Sequence, residues 1–458
     1  MKVTFIFPGI TDCGFNAKHG NEATFINHGL CLLSACLKKR EHAVELIDLR
    51  RLEGWEHFEK MIQEKDLGVV GITMMSCDYD PAMKAAEIIK KHKPGTPIVV
   101  GGPHPSIASE ELKDDNRVDY IHLGEGEVTF PQLVEDLGAG KPRERIVSGI
   151  QANLDQLPFA DRDLFGGSEE AFVPYLEEPF VTTIAGRGCL YNCNYCQPAE
   201  RMIFGKGVRR RSVGHVIREL HELQEKYRFN SMMIHDDCLT EDPEWVTEFC
   251  HAYRQAPLGK PFVAQSRADL ICKNEPMIKE MKRVGLALFI IGFESGSDRM
   301  LKFLRKGSTR EQNLRAAEIC HKYKIKIWAN YMLGLPTETK EEQFETLDML
   351  KKIKPYHSSP AYYTPHPGSD LFQYGLTNGL HILKGHGAYR RNSYEPKIGG
   401  IDYVFLEKIL RESVALAEDQ KDIKGNVRRF IPISFRQRLR PFLRPIKVLF
   451  EKYAPKNP

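Results

Sequence analysis

Three cysteines at a C-x3-C-x2-C spacing, Cys189, Cys193 and Cys196, lie in the run Gly186-Arg187-Gly188-Cys189-Leu190-Tyr191-Asn192-Cys193-Asn194-Tyr195-Cys196. Three thiolates in one short loop can face a common point, and soft thiolate ligands select iron–sulfur clusters or zinc over hard cations. No fourth ligand stands nearby. Structural zinc is normally closed by four protein ligands, whereas a cubic iron–sulfur cluster held by three cysteines leaves one iron open to a substrate or cofactor. The rival reading is three ordinary buried cysteines, since free cysteine is among the most buried residue types and the chain has 11. Flanking glycines, polar Asn192 and Asn194, and Pro198 argue against it, because they make this a loop after the strand-like run Phe180 to Ile184.

Other chemistry-bearing residues fall where apolar runs end. His235, Asp236 and Asp237 follow one such run, and buried carboxylates are costly unless paired or ligated, so the pair points to a site that receives a cation. A helix N-cap is the rival there, although Thr240 or Asp242 before Pro243 already serves it. Gln265 and Arg267 end another run, Glu294 stands in Gly292-Phe293-Glu294-Ser295-Gly296, and Asn330 precedes Gly334-Leu335-Pro336-Thr337-Glu338. Nearer the N-terminus, Thr73 and Ser76, then Gly101-Gly102-Pro103-His104-Pro105, then Gly124-Glu125-Gly126-Glu127 end three successive runs. Glycines there let a ligand approach the backbone, and hydroxyls and free N–H groups can hold its polar groups. Taken singly, each is equally a tight strand-to-helix turn. Arg187 and Lys306 read as surface cations, with neutralising a substrate carboxylate as the alternative. Cys238, beside the two aspartates, is a candidate proton or hydrogen donor.

The elements that must position these residues alternate. Strands are expected at Lys2 to Pro8, Ala43 to Leu49, Val69 to Met75, Pro97 to Val100 and Tyr120 to Leu123, with helices such as Gly29 to Lys39 and Pro81 to Lys91 between them. This alternation predicts a doubly wound parallel α/β sheet over residues 1–145, binding ligands outside the carboxyl ends of its strands. A nicotinamide dinucleotide is disfavoured, since no G-x-G-x-x-G follows the first strand. Gly, Pro and charge mark a linker over 146–175. The alternation then restarts with strands at Phe180 to Ile184, Ser231 to Ile234, Pro261 to Gln265, Leu286 to Phe293, Ile325 to Met332 and Ser358 to Thr364. Six units over 176–375 predict a partial (β/α)6 TIM-type barrel with its polar residues at the carboxyl ends. Residues 376–458 read as a helical extension, with a helix at Phe405 to Lys421.

The cysteine loop, "GFESGS" and the turns at Gly334 and Pro365 resemble the radical S-adenosylmethionine (SAM) superfamily. The first domain, through its "GG-P-H-P" and "GEGE" segments, resembles the cobalamin-binding domain of one large subfamily, and "LP-x-x-D-R-D" at Leu157 to Asp163 resembles its connector. The resemblance covers residues 1 to about 375. It implies a 4Fe-4S cluster on Cys189, Cys193 and Cys196 whose open iron chelates SAM, and reductive cleavage to a 5'-deoxyadenosyl radical. It further implies Tyr195 at the family's aromatic position, Asp236 and Asp237 toward the SAM amino group, and Glu294 on the SAM ribose or amino acid moiety, with Gln265, Arg267 and Asn330 in the same site. Thr73, Ser76, Gly101, Gly102, His104, Gly124, Glu125 and Gly126 would hold cobalamin. The Asp-x-His-x-x-Gly signature is absent, so no histidine is expected below the cobalt, and His104 is expected to hydrogen-bond within its loop.

The reaction implied is C-methylation of an unactivated carbon through methylcobalamin; the alternatives are a radical SAM cyclase, rearrangement or oxidation without methyl transfer, and a non-catalytic zinc protein. A flavodoxin- or ferredoxin-type electron donor and a small-molecule or lipid substrate are the implied partners. With 65 Lys+Arg against 61 Asp+Glu the net charge is +4, too small to point to nucleic acid. No signal peptide precedes the first strand and no secreted disulfide pattern is seen, so a cytoplasmic setting is expected. The end of the chain, Arg428 to Phe450, interleaves cations with Phe, Leu and Ile. It could lie on the inner face of an anionic membrane, or be a solvated or disordered end.

Overall fold

The computed structural model describes residues 1–17, 25–173, 175–390 and 394–418. The first sheet contains β1 Lys2–Phe7, β2 Ala43–Asp48, β3 Val69–Thr73, β4 Ile98–Gly101, β5 Tyr120–Leu123 and β6 Ile146–Ser148. All are parallel, in the order β2-β1-β3-β4-β5-β6. Strands buried on both faces must be apolar throughout, and Val69-Val70-Gly71-Ile72 is fully buried between two helical layers. The strand order reverses between β1 and β3, which opens the crevice where doubly wound sheets take their ligands. Ile146–Ser148 was not anticipated as a strand; it pairs with β5 from within the stretch read as linker.

The second sheet contains β7 Phe180–Thr183, β10 Ser231–Ile234, β11 Phe262–Ser266, β12 Leu286–Glu294, β13 Lys326–Leu333 and β14 His357–Tyr362. They are parallel, and each pairs with the next in sequence, as in an open barrel. Between β7 and β10 the short β8 Gly186–Arg187 and β9 Arg209–Arg210 form an antiparallel ribbon that the sequence patterning did not reveal. Side chains alternate along each strand. Phe262, Ala264, Phe289, Ile291 and Ile327 join the core beneath the outer helices, while Val263, Leu288 and Ile290 face inward with Phe172, Val173 and Leu176. The segment before β7 therefore plugs the interior of the barrel. The last described helix, Tyr403–Ala415, sets Leu406 and Ile409 into the outer core and bonds Tyr331 Oη to Ser413 Oγ at 2.7 Å.

Candidate active site

The carboxyl ends of the two sheets face each other across a cavity of about 1360 Å³ including its open mouth. From the first sheet it is lined by Thr73, Gly101, Gly102, Gly124, Glu125 and Gly126, and from the second side by Ile184, Gly186, Arg187, His235 and Asp237. Helix His28–Lys39 contributes His28, Leu32 and Leu33, placed by its N-cap, where Asn27 Oδ1 accepts from the Leu30 amide at 2.9 Å. The glycines keep this wall flat. A Cβ on Gly102 would stand 3.1 Å from Thr73 Oγ1, and one on Gly126 would stand 3.1 Å from Leu33. Such a bare, mostly apolar face suits a broad planar ligand such as a corrin ring.

Two residues assigned to this wall from the sequence lie elsewhere. His104 is fully buried on the far side of the β4 turn, with Nδ1 3.1 Å from Ser76 Oγ, so both side chains point away from the cavity. The cause is the helix Pro103–Ala108, whose first turn rotates His104 out of line with Gly102. Glu125 keeps its place in the wall, but its carboxylate is already engaged: Oε2 accepts from Arg187 at 2.9 Å and Oε1 from Arg209. Glu127 Oε1 takes the second Arg187 nitrogen at 2.5 Å. Arg187, expected at the surface, is thus largely enclosed in an ionic latch between the sheets. Arg187 and Arg209 are cross-strand neighbours on the β8–β9 ribbon, and two carboxylates offset their mutual repulsion.

Arg210, next along the ribbon, points the opposite way. Its guanidinium holds Asp236 at 2.8 Å and Glu241 at 3.0 Å, while Asp236 Oδ1 also accepts from the Ala185 amide at 2.7 Å. Asp236 is therefore part of the framework and is not a free cation receptor. Asp237 is exposed to the cavity, and its enclosure by the cavity walls together with the Glu200 carboxylate raises its pKa. Asp242 caps helix Pro243–Gln255 through the Trp245 amide at 3.0 Å. Cys238 is buried 3.9 Å from Thr240 Oγ1 and is not part of the cavity wall.

The cysteine loop runs between β8 and helix Ala199–Phe204. It is pinned by Asn194, whose amide and side chain donate to the Leu304 and Phe303 carbonyls and whose carbonyl accepts from Leu371. Cys193 is buried, Cys189 partly exposed and Cys196 exposed. Arg267 sets Nη1 3.8 Å from Cys193 Sγ, stacks 3.5 Å over the Tyr191 ring and pairs with Asp269 at 3.0 Å, placing one buried positive charge against the loop. Burial pushes the Cys189 thiol up to about 12, and a bound iron would have to displace that proton.

Beside the loop, Glu294 Oε1 accepts from Tyr195 Oη at 3.1 Å and from Lys306 Nζ at 2.9 Å. Lys306 is consequently buried, against the surface position expected for it. Glu294 adopts a left-handed φ of 62° where the β12–β13 register shifts, and Gly292 is required beneath it because a Cβ there would stand 2.4 Å from Oε1. Gln265 and Asn330 lie on the inward face of the barrel, one residue pair toward the carboxyl ends from Val263 and Trp328. Asn330 Oδ1 accepts from Trp328 Nε1 at 3.1 Å.

Sequence reasoning missed the ribbon arginines Arg209 and Arg210, the cavity residue His28 and Glu200. Glu200 Oε2 lies 3.5 Å from Cys196 Sγ, and the signal for it is its place one helical turn after that cysteine. His28 Nε2 lies 2.7 Å from Thr182 Oγ1, in a buried network with Glu169 and Arg162; burial, then Arg162, hold its pKa well below the usual imidazole value. The basic stretch 428–450 lies outside the described residues. Among the described residues no helix is long and apolar enough to cross a membrane.

Residues 22–134 match the family model described as a B12 binding domain, and residues 183–350 match that of the Radical SAM superfamily. An uncharacterized methyltransferase of Pyrococcus horikoshii is 28% identical over 404 residues, covering 84% of this chain and 86% of its own. The radical SAM methyltransferase TsrM of Kitasatospora setae, solved with cobalamin and a [4Fe-4S] cluster, aligns with TM-score 0.67 at 14% identity over 91% of this chain and 88% of that one. The cobalamin-dependent radical SAM enzyme OxsB, solved with aqua-cobalamin and SAM, aligns with TM-score 0.62 at 19% identity; 76% of this chain is covered, which spans 52% of that structure's chain. At such identities the structural likeness is one of fold.

Proposed function

The chain is a radical SAM superfamily member with an N-terminal B12-binding domain, and from that premise we propose that it methylates an unactivated carbon of a small molecule held between its two sheets. The observation that carries this reading is the cavity onto which the glycine face of the first sheet and the β8 residues Gly186 and Arg187, just before Cys189, both open. When bound, the cluster with SAM supplies a 5'-deoxyadenosyl radical and the cobalamin a transferable methyl group.

The chain's own residues do the positioning. Cys189, Cys193 and Cys196 would ligate three irons and leave the fourth open. Arg267 adds positive charge at Cys193, and the Tyr195–Glu294–Lys306 set presents a fixed carboxylate beside the loop. Thr73, Gly101, Gly102, Gly124 and Gly126 would let the corrin face approach the backbone. Leu32, Leu33, Phe130, Ile203 and Phe204 give the cavity apolar walls that exclude water from a carbon radical. The latch of Glu125 and Glu127 with Arg187 and Arg209 holds the two cofactor faces at a fixed separation, as reaction between groups on different sheets requires. An external low-potential electron donor, of the flavodoxin or ferredoxin type, would reduce the cluster.

The test is anaerobic reconstitution with iron, sulfide and hydroxocobalamin, followed by SAM and a low-potential reductant. The reading expects 5'-deoxyadenosine together with retained corrinoid, and Cys193→Ala abolishing the nucleoside while keeping the corrinoid. Nucleoside without retained corrinoid removes methyl transfer through cobalt.

A further inference from the structure

His104 leaves one polar atom unanswered. The residue is fully buried and its Nε2 has no hydrogen-bond partner, which is costly for a nitrogen withdrawn from water. That nitrogen is aimed at Glu111 Oε2, 3.9 Å away, and the same oxygen lies 2.8 Å from His386 Nε2. The three ligand atoms all lie within 4.8 Å of one another. The two imidazole planes are perpendicular, with centroids 5.7 Å apart, so they converge on the carboxylate and do not stack.

The far nitrogen of His104 is held by a hydrogen bond, and that of His386 faces a carboxylate. Ser76 Oγ lies 3.1 Å from His104 Nδ1, and Asp80 Oδ1 lies 3.6 Å from His386 Nδ1. Tyr79 stacks on His386 at 4.0 Å and 17°. Outer partners of this kind fix the tautomer and aim of metal-ligating histidines. A plain His386–Glu111 hydrogen bond would account for two of the three groups and leave His104 Nε2 buried and idle.

We propose that His104, Glu111 and His386 bind one zinc ion, with solvent completing a tetrahedron. Two imidazoles and one carboxylate suit a borderline first-row cation and disfavour magnesium or calcium, which take oxygen ligands. Glu111 has a side chain 43% exposed, which provides the entry path and room for the water. The ion staples the turn His386–Tyr389 to the segment after β4, joining Glu111 and His386 across 275 residues. It lies away from the cavity and is independent of the cysteine loop.

Full-length protein is first reconstituted with iron and sulfide so that the thiols are occupied, then desalted, exposed to zinc chloride and desalted again. The expected result is about one zinc per chain, with an X-ray absorption shell of nitrogen and oxygen at about 2.0–2.2 Å. His386→Ala and Glu111→Gln, both at solvent-reached positions, should each abolish zinc retention while leaving iron content at the wild-type value. Ser76→Ala should weaken binding about tenfold. Zinc should raise the melting temperature of the wild type and of neither ligand variant. No retained zinc in the wild type, a sulfur shell at about 2.3 Å, or full retention in both ligand variants overturns the assignment.

Discussion

Glu125 Oε2 lies 2.9 Å from Arg187 Nη1, which joins a strand end of the first sheet to the residue two positions before Cys189. The Glu125 side chain is 2% exposed; without its charge Arg187 keeps Glu127, while Arg209, 26% exposed, loses its carboxylate. Glu125→Gln should lower the unfolding free energy by about 1–3 kcal/mol, measured by urea denaturation. A change below about 1 kcal/mol, the scale of a surface pair, would mean that other contacts hold the ribbon.

Arg267 places a guanidinium 3.8 Å from Cys193 Sγ. Nearby positive charge favours the reduced, more negative state of a cluster. Arg267→Met should therefore shift the cluster's reduction potential downward and slow 5'-deoxyadenosine formation, with iron content unchanged. Redox titration followed by electron paramagnetic resonance reads the shift; an unchanged or raised potential contradicts this role.

Gly102 has φ of 104°, and an added Cβ would press to 3.1 Å on Thr73 Oγ1 and 3.2 Å on the Met74 backbone. Gly102→Ala should cost about 1–3 kcal/mol through backbone strain and narrow the cavity wall. Corrinoid retained after gel filtration, read by visible absorbance, should fall well below the wild-type level, whereas Gly140→Ala, with φ of 66° and open space around it, should retain corrinoid normally.

Burial holds the pKa of His122 down to about 4, and its Nε2 lies 2.7 Å from Thr129 Oγ1. Between about pH 4 and 6.5 the unfolded imidazole binds more protons than the folded one, so stability is lost as pH falls through that window. His122 accounts for about 3 kcal/mol of that loss. His122→Gln should flatten the acid limb by this order, compared by denaturation at pH 4.5 and 7. Parallel curves for the two proteins would remove His122 as the cause.

Much of the frame is local and was legible. The strand runs are apolar because both faces are covered, so Tyr120 to Leu123 and Ser231 to Ile234 were read with their observed bounds, and the cysteine spacing marks its loop without reference to the rest of the chain. Ile146–Ser148 and the two-residue ribbon strands were hidden, since two or three residues are too few to show a period.

By itself the sequence determined two parallel α/β sheets in series, a three-thiol loop after the first strand of the second, and glycine-rich ends on the strands of the first. Only the tertiary structure decided which polar groups are free. It gave Glu125 to Arg187 and Arg209, Asp236 to Arg210, and Glu294 to Tyr195 and Lys306; it left Asp237 facing the cavity and turned His104 toward His386. The reason is physical: a buried charge takes the nearest complementary partner in space, and here that partner is 12 to 99 residues away along the chain, beyond the reach of any local pattern.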